Sequence, residues 1–358
     1  MRYNKVCVEL ISYTLPDEVV TTSELELRLF PLYSRLKLPE GRLEMLTGIR
    51  ERRIWRVGTM PGQQSVITAR KLIDISGIDP SLIGALIHGS VCRDYLEPAT
   101  ACGVHNELGL FESCYVYDIS NACLGILSGM IQIANLIELG HIRAGIVVGT
   151  ESSRSLMDTT IHHLNTDQTF TRRSIKPAFA SLTIGSGSAA VLLTHEDISK
   201  TGNKLLGGVI RTRTKFCDLC RSNMDKSGGD SMNPLMDTDS EMLMQEGIAV
   251  AYDAFEDFLN ELNWSRSDIG KVFCHQVGKV HQRLLFERLQ LPAELNFSTL
   301  EYLGNTGSAA LPTTAGIGLD SGGINTGSKI AMLGIGSGIN TIMLGMLYSK
   351  KNNNNNSV

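Results

Sequence analysis

The chain is poor in aromatic residues, which make up 6 % of its 358 positions and include two tryptophans. It therefore offers few stacking platforms for single-stranded nucleic acid. A surplus of one charge is missing too: 33 Lys and Arg face 37 Asp and Glu, a formal net charge of −4. That balance gives no electrostatic cause to bind nucleic acid or an anionic membrane. No uncharged apolar run reaches the roughly 18 residues of a spanning helix. The stretch from Asn121 to Ile137 comes nearest, and its Asn, Ser and Gln suit a helix buried in protein. After Met1-Arg-Tyr-Asn-Lys comes a short strand-like run from Val6 to Ile11, not the apolar core of a signal peptide. The eight cysteines (7, 92, 102, 114, 123, 217, 220 and 274) are therefore expected as reduced thiols in a cytoplasmic protein. Cys217-Asp-Leu-Cys220 lacks a second pair or a histidine at zinc spacing, so both are read as ordinary cysteines. Leu333-Gly-Ile-Gly-Ser-Gly338 lacks the Lys-Ser/Thr of a phosphate loop and the spacing of a dinucleotide fingerprint. No motif suggests a metal, flavin or nicotinamide, and no cofactor is expected.

What the chain does have is 35 glycines and a pattern that occurs twice. Gln64 to Ile75 carries apolar residues at helical spacing, then Asp-Pro-Ser-Leu-Ile-Gly, then the strand-like Ala85-Leu-Ile-His-Gly-Ser90. Ile248 to Leu262 repeats the helix, followed by Ser-Arg-Ser-Asp-Ile-Gly and Lys271-Val-Phe-Cys-His-Gln276. Further along, Ala144-Gly-Ile-Val-Val-Gly-Thr150 answers Lys329-Ile-Ala-Met-Leu-Gly-Ile335, both apolar runs typical of strands covered on two faces. Two similar αβ halves are predicted, residues 1–200 and 201–349, each with a mostly parallel sheet inside helical layers. They meet near Lys200 to Lys204, and an asparagine-rich tail, 350–358, lies outside the fold. One continuous doubly wound domain is the competing arrangement.

Between the strand Tyr115-Val-Tyr-Asp-Ile-Ser and an apolar helix ending near Glu138 stands Asn121-Ala122-Cys123. A thiol at a helix N-terminus meets unpaired N–H groups and the helix dipole, which favour the thiolate and suit a nucleophile that forms an acyl thioester. Gly125 and Gly129, four apart on this helix, suggest close approach of another backbone. Taken alone, Cys123 is as readily a small buried hydrophobe. His275 closes the strand Val272-Phe-Cys at the kind of strand end where open sheets place chemistry. The first half has Ser90-Val-Cys-Arg at that place, so the halves differ where catalytic residues would. Gly304-Asn305-Thr-Gly307 opens another helix, and the Asn305 amide can hold an oxyanion or simply cap that helix. The turn from Gly334 to Gly338 offers backbone N–H groups.

In this order Asp-Ile-Ser-Asn-Ala-Cys123, His275-Gln-Val-Gly, Gly-Asn305-Thr-Gly-Ser-Ala and Gly-Ile-Gly-Ser-Gly closely resemble the ketoacyl synthase III branch of the thiolase superfamily. The resemblance runs from about Val6 to about Leu347. It implies a duplicated five-layer αβαβα fold, a homodimer, and a Cys123–His275–Asn305 set with Cys123 as nucleophile. It also implies an oxyanion hole from the N–H groups of Cys123 and Ser337. Three segments narrow the likeness to the OleA type, which condenses two acyl-CoA molecules head to head in olefin synthesis. They are Ser90-Val-Cys-Arg-Asp-Tyr-Leu-Glu97-Pro-Ala-Thr-Ala, Asp118-Ile-Ser-Asn-Ala-Cys123-Leu and Leu219-Cys-Arg-Ser-Asn-Met-Asp. In that group a glutamate at the place of Glu97 reaches the partner subunit's site as base; decarboxylating synthases usually have an apolar residue there.

The resemblance thus implies a non-decarboxylating Claisen condensation through an acyl-Cys123 intermediate, giving a 2-alkyl-3-ketoacyl product. The main rival is a decarboxylating synthase using malonyl-acyl carrier protein, which needs no Glu97. A hydroxymethylglutaryl-type synthase and a non-catalytic acyl binder are further alternatives. Arg50, Arg52, Arg53 and Arg56 form either a solvated face, a patch for carrier protein, or a hold on coenzyme A phosphates. Residues 151–177 fit no pattern; their His162-His163 pair could suggest a metal but is read as part of a surface or tunnel-lining loop.

Overall fold

The computed structural model describes residues 1–222 and 236–349. The 350–358 tail and residues 223–225 of the segment that begins at Leu219 therefore lie outside the described residues. Ten strands form the main sheet, and they fall into two matching sets of five. The first comprises β1 (Val6–Thr14), β2 (Ile83–His88), β3 (Tyr115–Asp118), β4 (Ala144–Glu151) and β5 (Gly187–His195), in the order β3-β2-β4-β5-β1. The second comprises β6 (Lys204–Thr212), β7 (Ile269–Cys274), β8 (Asn296–Phe297), β9 (Lys329–Gly336) and β10 (Asn340–Leu347), in the order β8-β7-β9-β10-β6. Strand for strand the two orders are the same, and a pairing of Cys7 with Lys204 joins the sets.

Six helices repeat in the same way: α1 (Pro61–Ser76), α2 (Thr100–Leu108) and α3 (Gly125–Glu138), then α4 (Ser240–Leu262), α5 (Lys279–Leu289) and α6 (Ala310–Asp320). Side chains alternate across each strand. Ile87 and Val147 therefore face one way, packing with Ile126, Met130 and Ile133 of α3, and with Leu311 of α6 and Met332 of the second set. Leu86, Ile146 and Val148 face the other way, onto Leu72 of α1 and Val104 of α2. Val272 and Leu333 of the second set pack outward on Phe255 of α4 and Leu285 of α5. The layers are thus helix, sheet, helix, sheet, helix, with α3 and α6 in the centre. Buried positions on nearly every side of α3 fit that place.

The predicted pairings of Ala85–Ser90 with Lys271–Gln276, and of Ala144–Thr150 with Lys329–Ile335, recur as β2 with β7 and β4 with β9. The expectation of mostly parallel sheets is corrected. Within each set the pairs β2/β3 and β2/β4, or β7/β8 and β7/β9, are parallel, while β5 and β10 run antiparallel to both neighbours. A tight turn joins β9 to β10, and such a turn can only join antiparallel strands. Residues 151–177 are largely helical, not a loop. Met157, Ile161 and Leu164 of the helix Arg154–Thr166 are buried with Leu25, Leu29 and Leu32 in a separate cap cluster, and His162 is exposed. No helix among the described residues is long and apolar enough to cross a membrane.

Candidate active site

Cys123 lies in a 3₁₀ turn, Ala122–Leu124, that precedes α3. Ala122 has φ +44°, a left-handed conformation that costs a residue with a Cβ roughly 1–2 kcal/mol. The turn is held on both sides: Asn340 Nδ2 donates to Asn121 Oδ1 at 3.1 Å, and Asn121 Nδ2 donates to Ser128 Oγ of α3 at 2.9 Å. Gly125 shows the close backbone approach expected of it, since a Cβ there would sit 2.6 Å from the carbonyl carbon and oxygen of Gly89. Gly129 differs, because a Cβ there would meet the Val147 side chain, not a backbone. The resting thiol also departs from expectation. Burial first, then the charge of Glu151, push Cys123 up to about 12, so desolvation outweighs the helix terminus and the group rests protonated.

His275 follows the end of β7, and its N–H donates to Leu333 O at 3.1 Å, which keeps the residue in line with β9. The side chain is buried and Nδ1 has no hydrogen-bond partner among the described residues. Burial, helped by nearby His281, lowers it to about 3, so the ring rests neutral. The adjoining Gln276 fixes this strand end. Its Oε1 accepts from Gln282 Nε2 at 2.9 Å, Ser298 Oγ at 2.8 Å and the N–H groups of Thr299 and Leu300 at 3.2 and 3.1 Å, while its Nε2 donates to Cys274 O at 2.6 Å.

Asn305 is anchored through its main chain: its N–H donates to Thr183 O at 2.9 Å, and its carbonyl accepts from Gly185 N–H at 2.8 Å. Oδ1 accepts the N–H of Gly307 at 2.9 Å, a local turn bond and not the helix cap, since Thr306 precedes the turn Gly307–Ala309 and Ala309 precedes α6. That bond commits the oxygen and leaves the amide NH₂ as the end able to meet an oxyanion. The turn Gly307–Ala309 that follows packs against the turn bearing Cys123, and so does β9. A Cβ on Gly336, beside Ser337, would lie 3.7 Å from Cys123 N, so the end of β9 reaches the main chain of Cys123. Cys123, His275, Asn305 and Ser337 therefore sit on elements that converge at one end of the strands.

Glu97 is placed elsewhere within the chain. It is exposed, in the loop between β2 and α2, and its carboxylate makes no hydrogen bond or ion pair with the described residues. The arginine group is split. Alternation along the strand Glu51–Ile54 buries Arg52 completely, where it donates to Thr22 Oγ1 and Leu182 O. Arg53 donates to Pro16 O, Arg50 pairs with Glu301, and Arg56 is exposed, so no four-arginine patch exists. Cys217 is exposed, whereas Cys220 is half-buried, accepts from Thr238 Oγ1 at 3.5 Å, and comes close enough to bear on the Cys123 thiol. The structure adds Glu151, the last residue of β4, which the sequence left at the edge of the unassigned segment. Its signal was its position at a strand end, like that of His275.

A thiol on a helix-entry turn, inside a fold whose two halves repeat strand for strand, is the arrangement of thiolase-superfamily condensing enzymes. The profile of the family 3-oxoacyl-[acyl-carrier-protein (ACP)] synthase III matches residues 117–213, and that of its C-terminal part matches residues 259–345. The chain is 41 % identical to the acyl-CoA:acyl-CoA alkyltransferase of Shewanella oneidensis over 351 residues, 97 % of this chain and 100 % of that protein. It is 30 % identical to the Xanthomonas campestris protein of the same name over 348 residues, again 97 % and 100 %. Crystal structures of Xanthomonas campestris OleA, with a glutamate, a cysteine or a histidine substituted, superimpose at a TM-score of 0.91 and 29 % identity, covering 97 % of this chain and 98–100 % of theirs. One variant of that enzyme holds lauric acid and lauroyl-CoA. The chain belongs to the OleA-type family of acyl-CoA:acyl-CoA alkyltransferases.

Proposed function

We propose that this protein joins two acyl-CoA molecules head to head without decarboxylation, with Cys123, His275, Asn305 and Glu97 in the catalytic roles. His275 takes the proton of Cys123 as the sulfur attacks the first thioester, and coenzyme A leaves with a proton, giving acyl-Cys123. Glu97 then removes a proton from the carbon beside the second thioester carbonyl, while His275 and Asn305 hold the enolate oxygen. The new C–C bond forms as the C–S bond to Cys123 breaks, and the product is a 2-alkyl-3-ketoacyl-CoA. The N–H groups of Cys123 and Ser337 hold the oxyanion in both tetrahedral stages. No cofactor takes part. All eight cysteines are unpaired, in keeping with a reducing cytoplasm.

The observation that carries this proposal is an unpartnered carboxylate, Glu97, beside an open sheet edge. A substrate with no carboxylate to lose needs a base from the protein, and a decarboxylating synthase does not. β3 ends its sheet, and Tyr95, Leu96, Phe111 and Tyr115 near it are exposed. Edges of this kind invite pairing with another chain. In a two-fold homodimer closed there, the base of each site is Glu97 of the partner subunit.

The test is to incubate the protein with myristoyl-CoA alone, beside Glu97→Ala and Cys123→Ala, and follow coenzyme A and coupled products by mass spectrometry. A β-keto product, or the ketone from its decarboxylation, absent in both variants is the expected result. Coupling that begins only when malonyl-acyl carrier protein is added would overturn it in favour of a decarboxylating synthase.

A further inference from the structure

Glu151 has no part in the steps above, yet it is the carboxylate that bears on the Cys123 thiol. It is buried, and among the described residues it forms no ion pair. Four donors hold it instead. Oε1 accepts the Val91 N–H at 3.0 Å, the Ser308 N–H at 3.2 Å and the Ser308 hydroxyl at 2.6 Å, and Oε2 accepts the Cys92 N–H at 3.3 Å. Its carbonyl takes the Trp55 indole N–H at 3.0 Å. Val91 and Cys92 begin the loop that leads to Glu97, and Ser308 stands in the turn that follows Asn305. Gly307 leaves room for this contact, since a Cβ there would lie 3.0 Å from the carboxyl carbon. A buried carboxylate without a cation is expensive to keep, and its bonds run to two segments far apart along the chain.

We infer that Glu151 is a positioning residue for the condensing step, one carboxylate clamping the Glu97 loop and the Asn305 turn to the strand end beside Cys123. The inference rests on the roles proposed above for Glu97 and Asn305. Because Glu97 serves the partner subunit's site, the clamp also couples the two sites of the dimer: the same oxygen fixes an asparagine here and a base there. Burial holds the Glu151 carboxyl above its usual range, while its bonds to Ser308, Val91 and Cys92 oppose that, and the protonated Cys123 thiol lies close by.

Glu151→Gln and Glu151→Asp in the full chain separate this from a purely structural role. Alkylation of Cys123 by iodoacetamide against pH reads the charge, acyl-enzyme formation from myristoyl-CoA reads the first half-reaction, and coupled product reads the second. For Glu151→Gln the alkylation midpoint moves to lower pH, acyl-enzyme still forms, and coupled product falls roughly 10²-fold, the cost of misplacing reacting groups by about 1 Å. For Glu151→Asp the midpoint stays and coupling still falls, because the shorter side chain keeps the charge but does not reach both segments. Ser308→Ala, which removes the 2.6 Å donor alone, gives a smaller loss of coupling and serves if Glu151→Gln fails to fold. Native coupling and an unmoved midpoint in Glu151→Gln would overturn the inference. Failure of the unaltered protein to couple acyl-CoA alone would instead overturn the reaction proposed above, and the clamp would then be read from malonyl-dependent coupling through Asn305.

Discussion

Replacing Gly89 with alanine is expected to disable the nucleophile from a position that touches no substrate. The added Cβ would stand 2.6 Å from the carbonyl carbon and oxygen of Gly125 and 2.9 Å from Ile126 N. Ordinary contact starts near 3.4 Å, so about 0.8 Å must be found (3.4 less 2.6). The strand end is tied to β4, because the Gly89 N–H donates to Val148 O at 2.8 Å. The displacement therefore falls on the first turn of α3, two residues after Cys123. Overpacking of this kind costs about 1–3 kcal/mol of stability. A shift near 1 Å in a reacting group lowers the rate by roughly 10²-fold, or about 2.7 kcal/mol in the barrier. Denaturant unfolding measures the first quantity, and single-turnover release of coenzyme A from myristoyl-CoA measures the second. Gly103→Ala is the control: nothing lies within 4 Å of its Cβ position in α2. That change should leave acylation alone and raise stability by roughly 0.5–1 kcal/mol. Wild-type acylation by Gly89→Ala would refute the idea that the strand–helix contact sets the place of the thiol.

Stability should fall as pH drops from 7.5 to 5. Burial lowers His275 to about 3 and His281 to about 4, so the unfolded chain binds protons first, and the stability present above pH 6.5 is lost on the way down. By pH 5 the loss is about 2 kcal/mol for each ring, set by the 1.5 units below the free histidine value. His88 shifts in the same direction. Denaturation at both pH values should give a smaller difference in His281→Gln, and an equal difference would count against the account of that buried ring. Tyr115→Asp on the open edge of β3 should yield monomers by light scattering; they should acylate Cys123 but couple no second chain. A coupling-competent monomer would mean that Glu97 acts within its own chain or not at all.

The duplicated pattern was legible because each unit is local: the turns Pro80–Leu82 and Arg266–Asp268 are both capped by the side chain before them, Asp79 and Ser265. Strand direction was not legible, since an apolar run covered on both faces looks alike either way. The burial of Arg52 was hidden for a related reason. Two consecutive arginines on a four-residue strand show no apolar alternation, yet one must point inward. The places of Cys123, His275 and Asn305 could be read from strand ends and helix entries. Glu97 stood out through family resemblance alone, because an exposed glutamate before proline has no local signature. For Glu151 the strand end was the one signal, because its partners come from 60 and 157 residues away along the chain.

The repeat also explains why a duplicated fold presents one reaction centre and not two. Corresponding strand ends carry different groups: Gly89 follows β2 where His275 follows β7, and Glu151 closes β4 where Gly336 closes β9. The entries to the two central helices hold Cys123 and Asn305. Each half thus lacks what the other supplies. A sulfur nucleophile from the first half needs an imidazole, an amide and a backbone turn from the second. The second half has no residue that could hold an acyl group at those places. A small residue at Gly89 lets α3 approach, while in the proposed reaction the imidazole at the matching place takes the proton, so the sites cannot be exchanged. Grafting the motif of one half onto the other, for example His275→Gly with Gly89→His, should therefore abolish acylation and not relocate it. The new imidazole would collide with Gly125 before it reached the sulfur.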